Sequence, residues 1–341
     1  MVRQTPAAGL NRATSRNAGR KKGSADKTFH AGTCFAIRFL LACLLLYGLL
    51  ELAPDLLYAP VNRLNTTLAG RILNAMGFAA ETGGISIALE GFRAQVIGEC
   101  SAVFLSVLPL AFIWAFPSGM NAKLTGWTLG LVFLFVVNLL RIDLLVVAGA
   151  KFPRYFQMIH LYCGQVLMVL TVLVICLGWL KYLRGGESHR FLARPLIRFI
   201  LMSVPAFAFW WLFSGPYTRF LYHLIQTGSG WLGIHVTVPS VLKIYPDTFK
   251  CFNWVTFSAL AWSFSETPVY KRLRFWLTGM ASLSAIHAAF TLLYILFVVY
   301  RLTWLMGAIN ICLVLNEWVL PFGLWLFHRR GSLTATSASY R

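Results

Sequence analysis

The feature that most restricts this chain is a series of long apolar runs. They lie near Cys34–Leu52, Cys100–Phe116, Trp127–Ala148, His160–Leu180, Leu196–Phe213, Cys251–Phe264, Phe275–Val299 and Leu305–Phe327. A helix needs ~20 apolar residues to cross the ~30 Å hydrocarbon core of a bilayer. In that solvent every backbone N–H and C=O must be satisfied within the spanning segment, so the runs read as α-helices. Barrel strands alternate apolar and polar positions and never give such runs. The predicted fold class is therefore all-α, a polytopic membrane helix bundle of about eight transmembrane helices. Composition agrees, with 58% hydrophobic and 12% charged residues, where soluble domains are about one quarter charged. A cytosolic enzyme, a disordered chain and a disulfide scaffold are excluded.

The formal net charge is +19, from 30 Lys and Arg against 11 Asp and Glu. In so apolar a chain, basic residues hold loops on the cytoplasmic side, and no nucleic-acid partner is expected. Residues 1–30 are polar and aperiodic and read as a disordered basic cytoplasmic tail. Arg3, Arg12, Arg16, Arg20, Lys21, Lys22 and Lys27 precede the first run, which puts the N-terminus inside. No convincing small-residue cleavage site follows that run, so it reads as an anchor. Lys181, Arg184, Arg190 and Arg194 follow the fourth run, Lys271, Arg272 and Arg274 the sixth, and Arg329 and Arg330 begin the tail at 329–341. Each falls on the cytoplasmic side if both termini are inside.

Two stretches are then left outside. Residues 53–99 begin with apolar positions Leu64, Leu68, Ile72 and Met76 at helical spacing, then switch to period two. Ile85, Ile87 and Leu89 alternate, Glu90-Gly91 supplies a turn, and Phe92, Ala94 and Val96 alternate again. This predicts a small extracytoplasmic helix and hairpin before the second span. Residues 215–250 form the second outer loop, with a strand through Ile234, Val236 and Val238.

Polar groups in or beside the hydrocarbon core are costly and are functional candidates by default. The seven cysteines show no C-x-x-C pair and no metal-ligand spacing, and most lie in apolar runs. Cys100 differs. It stands in Gly98-Glu99-Cys100-Ser101-Ala102 at the mouth of the second span, where a helix N-terminus favours a thiolate. The ordinary reading is a small buried hydrophobe. Arg141 lies within the third span, with Asn138 one turn earlier on nearly the same face. Its ordinary reading is a structural pairing with Asp143, or outward snorkelling. His160 begins the fourth span, where a headgroup contact is the ordinary reading.

A topology drawn from apolar runs and loop charges alone puts all three at the outer leaflet, on consecutive spans. Cys, His and a cation within reach make a nucleophilic constellation: His moves the proton, and Arg stabilises the thiolate or an oxyanion. At these residues the chain resembles the exosortase/archaeosortase family of membrane cysteine transpeptidases. Glu99-Cys100-Ser101 at a span start, Asn138-x-x-Arg141-Ile142 in the next and His160 heading the following one carry the likeness, over roughly residues 35–180. Phe116-Pro117 and Lys123-Leu124-Thr125-Gly126 also resemble it, in the exosortase H manner. The resemblance implies Cys100 as nucleophile, Arg141 as electrostatic partner and His160 as acid/base. Asn138, Glu99 and Ser101 are substrate-binding or supporting candidates. Ala102 departs from the family, which usually has Gly there.

The resemblance further implies a cysteine endopeptidase/transpeptidase in the cytoplasmic (inner) membrane, with its site on the extracytoplasmic side. Its substrates would be exported proteins ending in a sorting motif, a transmembrane helix and a basic cluster. Each would be passed to an acceptor, with membrane lipid as the other partner. No metal and no organic cofactor is implied. The domain reading is a catalytic core at 31–185 and an additional four-span region at 195–328. That region holds Asn253, His287, Asn310, Asn316 and Glu317, read as interhelical polar contacts, with His287 a partner for Glu317. Trp210, Trp211 and Tyr217 read as interfacial anchors, and Lys151 and Arg154 as headgroup or substrate-carboxylate contacts. The alternatives are an inactive membrane scaffold, or a transporter using Arg141, Asp143 and Glu317 as a charge pathway.

Overall fold

The computed structural model describes residues 32–98, 101–183, 185, 190–231, 233, 252–263, 267–300, 307–308, 311–312 and 315–326. Helix α1 spans Gly32–Leu52. It buries Phe35, Phe39, Cys43, Tyr47 and Leu50, spaced by three or four residues, as one stripe against the bundle. Leu41, Leu45, Leu49 and Leu52 are exposed on the rest of its surface. An apolar outer face of this kind suits lipid, not water.

Helix α2 (Pro54–Ala75) starts with Pro at a first-turn position that lacks an intrahelical partner anyway. It ends in a Schellman motif: Phe78 N–H donates to Leu73 O at 3.0 Å, Gly77 N–H to Asn74 O at 3.0 Å, and Gly77 has φ +89°. The predicted apolar stripe only flanks the buried face, Leu68 and Ile72 being half-buried beside it. Leu64 and Met76 are exposed, while Asn62, Asn65, Thr66, Ala69, Gly70 and Leu73 face inward. Small side chains let the backbone approach its neighbours there. At Gly70 a Cβ has no room beside the Thr82 methyl.

The Asn74 side chain then mimics a strand, exchanging hydrogen bonds with Ala80 N and O at 2.9 and 3.1 Å. It starts a three-stranded antiparallel sheet of β1 (Ala80–Gly83), β2 (Ser86–Leu89) and β3 (Phe92–Gln95). The predicted hairpin is β2–β3, with Leu89 opposite Phe92. Glu90 and Gly91 have φ of 49° and 83°, the pair of positive values a type I′ turn requires. Ile87, Leu89 and Val96 are buried, as their alternation predicts. Strand β1 is additional; Ala-Glu-Thr-Gly carries no apolar alternation, and its edge is recruited by β2 and Asn74.

Helix α3 (Ala102–Ala115) is buried over most of its surface, with Trp114 exposed, and is ~21 Å long at ~1.5 Å per residue. Helix α4 (Met120–Lys151) is longer than the hydrocarbon core, at ~48 Å. A 3₁₀ turn (Pro153–Tyr155), α5 (Phe156–Leu161), a π-turn (Tyr162–Val166) and α6 (Leu167–Leu183) follow as one span. Then come α7 (Arg190–Trp231), α8 (Asn253–Ser263) and α9 (Val269–Tyr300). A second π-turn, Leu315–Val319, continues as helix to residue 326.

Among the described residues, five helices are long and apolar enough to cross a membrane, and α3 is a shorter apolar one. This makes the chain a multi-pass helical membrane protein; the described residues do not establish the predicted count of eight. Of the sixth run the described residues form the 11-residue α8, and the eighth is described in part. The second outer loop also needs correction. Helix α7 continues past Phe213 through Gly215 and Pro216 to Trp231, because a proline removes one ladder donor without ending a long helix held elsewhere. The strand expected at Ile234, Val236 and Val238 lies outside the described residues, as do residues 1–30.

Besides a third core of Phe257, Ala261 and Leu283 that joins α8 to α9, two apolar cores organise the segments around α1–α6. The larger joins α1, α3 and α6 with parts of α7, α8 and the segment 319–326. The smaller is formed by Ala69 and Leu73 of α2, Ile87, Leu89 and Val96 of the sheet region, and Leu139, Ile142 and Val146 of α4. The sheet therefore rests on the C-terminal half of α4.

Candidate functional site

That half of α4 carries three buried polar side chains, Asn138, Arg141 and Asp143. Arg141 Nη1 donates to Asn138 Oδ1 at 3.1 Å, one helical turn away. Asn138 is 0% and Arg141 6% exposed, so the guanidinium is held inside the bundle and does not snorkel outward. Nor is Asp143 its partner. Both Asp143 carboxylate oxygens are buried with no hydrogen-bond partner among the described residues. The ordinary pairing expected from sequence is thus absent.

His160 reaches the same place from the next span. It occupies α5, half-buried, and Gly164 follows it by one turn inside the π-turn. A Cβ built on Gly164 would stand 3.3 Å from Arg141 Nη2 and 3.5 Å from His160 Cδ2. The missing side chain at 164 therefore lets the guanidinium and the imidazole share one small volume. π-turns are uncommon and recur at functional sites, because the widened ring re-aims side chains.

The sheet sets the imidazole from outside. Phe156 stacks on His160 with ring centroids 5.6 Å apart and planes within 6°. Phe92 meets Phe156 at 4.9 Å and covers Gly149, where a Cβ has no room. Lys151 Nζ pairs with Glu90 in the hairpin turn at 2.7 Å. Lys151 is thus a clasp between sheet and α4, and Arg154 lies over the Tyr155 ring at 5.9 Å.

Ser101 is fully buried and caps α3, its Oγ accepting from Val103 N–H at 3.3 Å. That is a helix-start role. Ala102 begins α3 and is 6% exposed, its methyl part of the larger core. Cys100 and Glu99 lie outside the described residues. Of the sequence-derived candidates, the structure brings Asn138, Arg141 and His160 together and places Ser101 in a cap. Phe92, Phe156 and Gly164 are the supports that sequence reasoning did not single out. A glycine one turn after a histidine in an apolar helix was the available signal.

The C-terminal polar residues pair differently from expectation. Gln165 Nε2 donates to Glu317 Oε1 at 3.3 Å. His287 Nδ1 instead meets the Tyr217 hydroxyl at 3.1 Å, and Asn253 Nδ2 donates to Asn316 O at 3.3 Å. Trp210 is buried against Phe207 and Phe252, so it is core and not an interfacial anchor, whereas Trp211 is exposed. Among the described residues no group of three His, Cys, Asp or Glu side chains could hold a metal ion.

Fold and site together define a multi-pass membrane protein with a buried Asn–Arg pair facing a histidine from the adjacent span. Residues 28–177 match the family model of the transmembrane exosortases. No curated protein and no solved structure matches the chain. The match ends before α7, so residues beyond 177 are not covered by it.

Proposed function

We propose that the protein is a membrane-embedded cysteine endopeptidase/transpeptidase. It would cleave the C-terminal sorting signal of exported proteins at the outer face of the cytoplasmic membrane and transfer the remainder to an acceptor. The observation that carries this reading is the meeting of Arg141 and His160 around Gly164, within the segment that matches the exosortases. In this reading residues 31–185 form the catalytic core, 195–328 add to it, and both termini are cytoplasmic.

In the proposed mechanism the Cys100 thiolate attacks the scissile carbonyl of the sorting motif. A C–S bond forms and the carbonyl oxygen takes the negative charge. The Arg141 guanidinium stabilises that oxyanion. The C–N bond then breaks, and His160, as imidazolium, gives its proton to the departing amine. The signal helix with its basic tail leaves, and a thioester remains. Neutral His160 next takes a proton from the acceptor's O–H or N–H as it attacks the thioester. The thiolate returns, and the acyl group ends on the acceptor.

Asn138 supports the scheme by fixing Arg141 through an accepted hydrogen bond. The Phe156 ring fixes the plane of His160. Ser101 caps the helix that begins directly after it, and the unpaired N–H groups at that helix start favour a thiolate at the neighbouring Cys100.

The test is co-expression with an exported protein ending in motif, apolar helix and basic cluster. Cys100→Ala, Arg141→Ala and His160→Ala should each abolish processing at normal membrane abundance, and an acyl-enzyme should be trapped at Cys100. Processing that survives Cys100→Ala, or trapping at another cysteine, overturns the reading.

A further inference from the structure

We propose that Glu317, contributed by the C-terminal region, is a positioning residue for the Arg141–His160 site and acts through Gln165. The inference rests on the proposed catalytic role of that site and extends it beyond the matched segment, which ends at residue 177. Gln165 Nε2 donates to Glu317 Oε1 at 3.3 Å across 152 positions of sequence. Gln165 adjoins Gly164, the residue around which Arg141 and His160 meet. Both residues of the pair lie in π-turns, Tyr162–Val166 and Leu315–Val319.

A π-turn is rare and loosely bonded, so its geometry depends on outside support. Here one wide turn supports the other. The second is itself tied down by Asn253 Nδ2, which donates to Asn316 O at 3.3 Å. A carboxylate within a span is costly unless a polar group meets it, and the Gln165 amide does so. The amide orientation follows from charge: a carboxylate accepts only, so the Gln165 NH₂ must face it. Gln165 Oε1 is then left as an acceptor with no partner among the described residues. Locking Gln165 fixes the backbone at Gly164, and with it the approach of imidazole to guanidinium. Misplacement of a catalytic group by about 1 Å costs up to ~100-fold in rate.

The experiment measures N-ethylmaleimide labelling of Cys100 in membranes over a pH series, read by peptide mass spectrometry in the full-length chain. The variants are Glu317→Ala, Glu317→Gln, Gln165→Glu and the double exchange Gln165→Glu with Glu317→Gln. Arg141→Ala and His160→Ala serve as site controls. Glu317→Ala and Gln165→Glu should slow labelling about tenfold and displace its pH profile. Glu317→Gln keeps an acceptor, and the double exchange restores a donor and a carboxylate; both should label like wild type. A purely structural residue would lower membrane abundance without moving the pH profile.

Wild-type labelling of Glu317→Ala, with both controls slowed, overturns the inference and leaves the catalytic reading standing. Unchanged labelling in both controls overturns the two together. Should Glu317→Ala fail to accumulate, the comparison of Gln165→Glu with the double exchange decides: no recovery in the double exchange overturns the proposal.

Discussion

Phe92 lies over Gly149 so closely that α4 has no space for a Cβ beneath the ring. The same ring touches Phe156, which stacks on His160. Gly149→Ala should therefore push the sheet away from α4 and loosen the imidazole. The expected cost is about 1–3 kcal/mol of stability, the usual range for overpacking. Adding Phe92→Leu to Gly149→Ala should recover most of it. Thermal unfolding in detergent measures both, and full stability in the single variant would refute the contact.

Gly164→Ala is predicted to separate stability from activity. Its methyl would stand 3.3 Å from Arg141 Nη2, tight but able to be relieved by a small shift of a flexible side chain. Stability should change by less than ~1.5 kcal/mol. Processing should fall about tenfold, because Arg141 and His160 are driven apart. Equal processing by the two forms would show that their proximity is incidental.

Asn138→Leu removes the acceptor that Arg141 Nη1 uses at 3.1 Å. Hydrogen bonds to charged groups contribute ~1.5–3 kcal/mol, and loss of this one in a buried setting should appear both as lower thermal stability and as weaker processing. Asn138→Asp, which keeps an acceptor facing the guanidinium, should retain more stability than Asn138→Leu. The reverse order would count against the pairing.

Asp143 offers the opposite case, a buried carboxyl with no hydrogen-bond partner among the described residues. Unpaired buried polar groups destabilise. Melting temperature should therefore rise from Asp143 to Asp143→Asn to Asp143→Leu, with processing unchanged. A loss of processing in Asp143→Asn would instead revive the reading of Asp143 as part of a charge pathway.

Much of this molecule is written in local pattern. The first, third and fourth spans are evident from apolar length, since a bilayer accepts little but satisfied helices. The β2–β3 hairpin is equally plain, because period-two alternation and Glu90-Gly91 describe a backbone that needs two positive φ values. Asn138 and Arg141 share a helix face by spacing alone. Other features have no local signature. Helix α2 turns Asn62, Asn65 and Thr66 inward and leaves Leu64 and Met76 exposed. Apolar periodicity centres the buried face on Leu64, Leu68, Ile72 and Met76 instead, because it cannot register how closely small residues let backbones pack. Helix α7 runs through Gly215-Pro216, a dipeptide that reads as a break in isolation but is carried by the rest of a long helix. The meeting of Arg141 with His160 needs two spans to cross at a glycine, and Gln165 reaches Glu317 over 152 positions. Residue type and spacing along one chain determine which groups are costly to bury. Only packing between distant segments decides which partner satisfies each of them, since contact depends on crossing points that no single helix encodes.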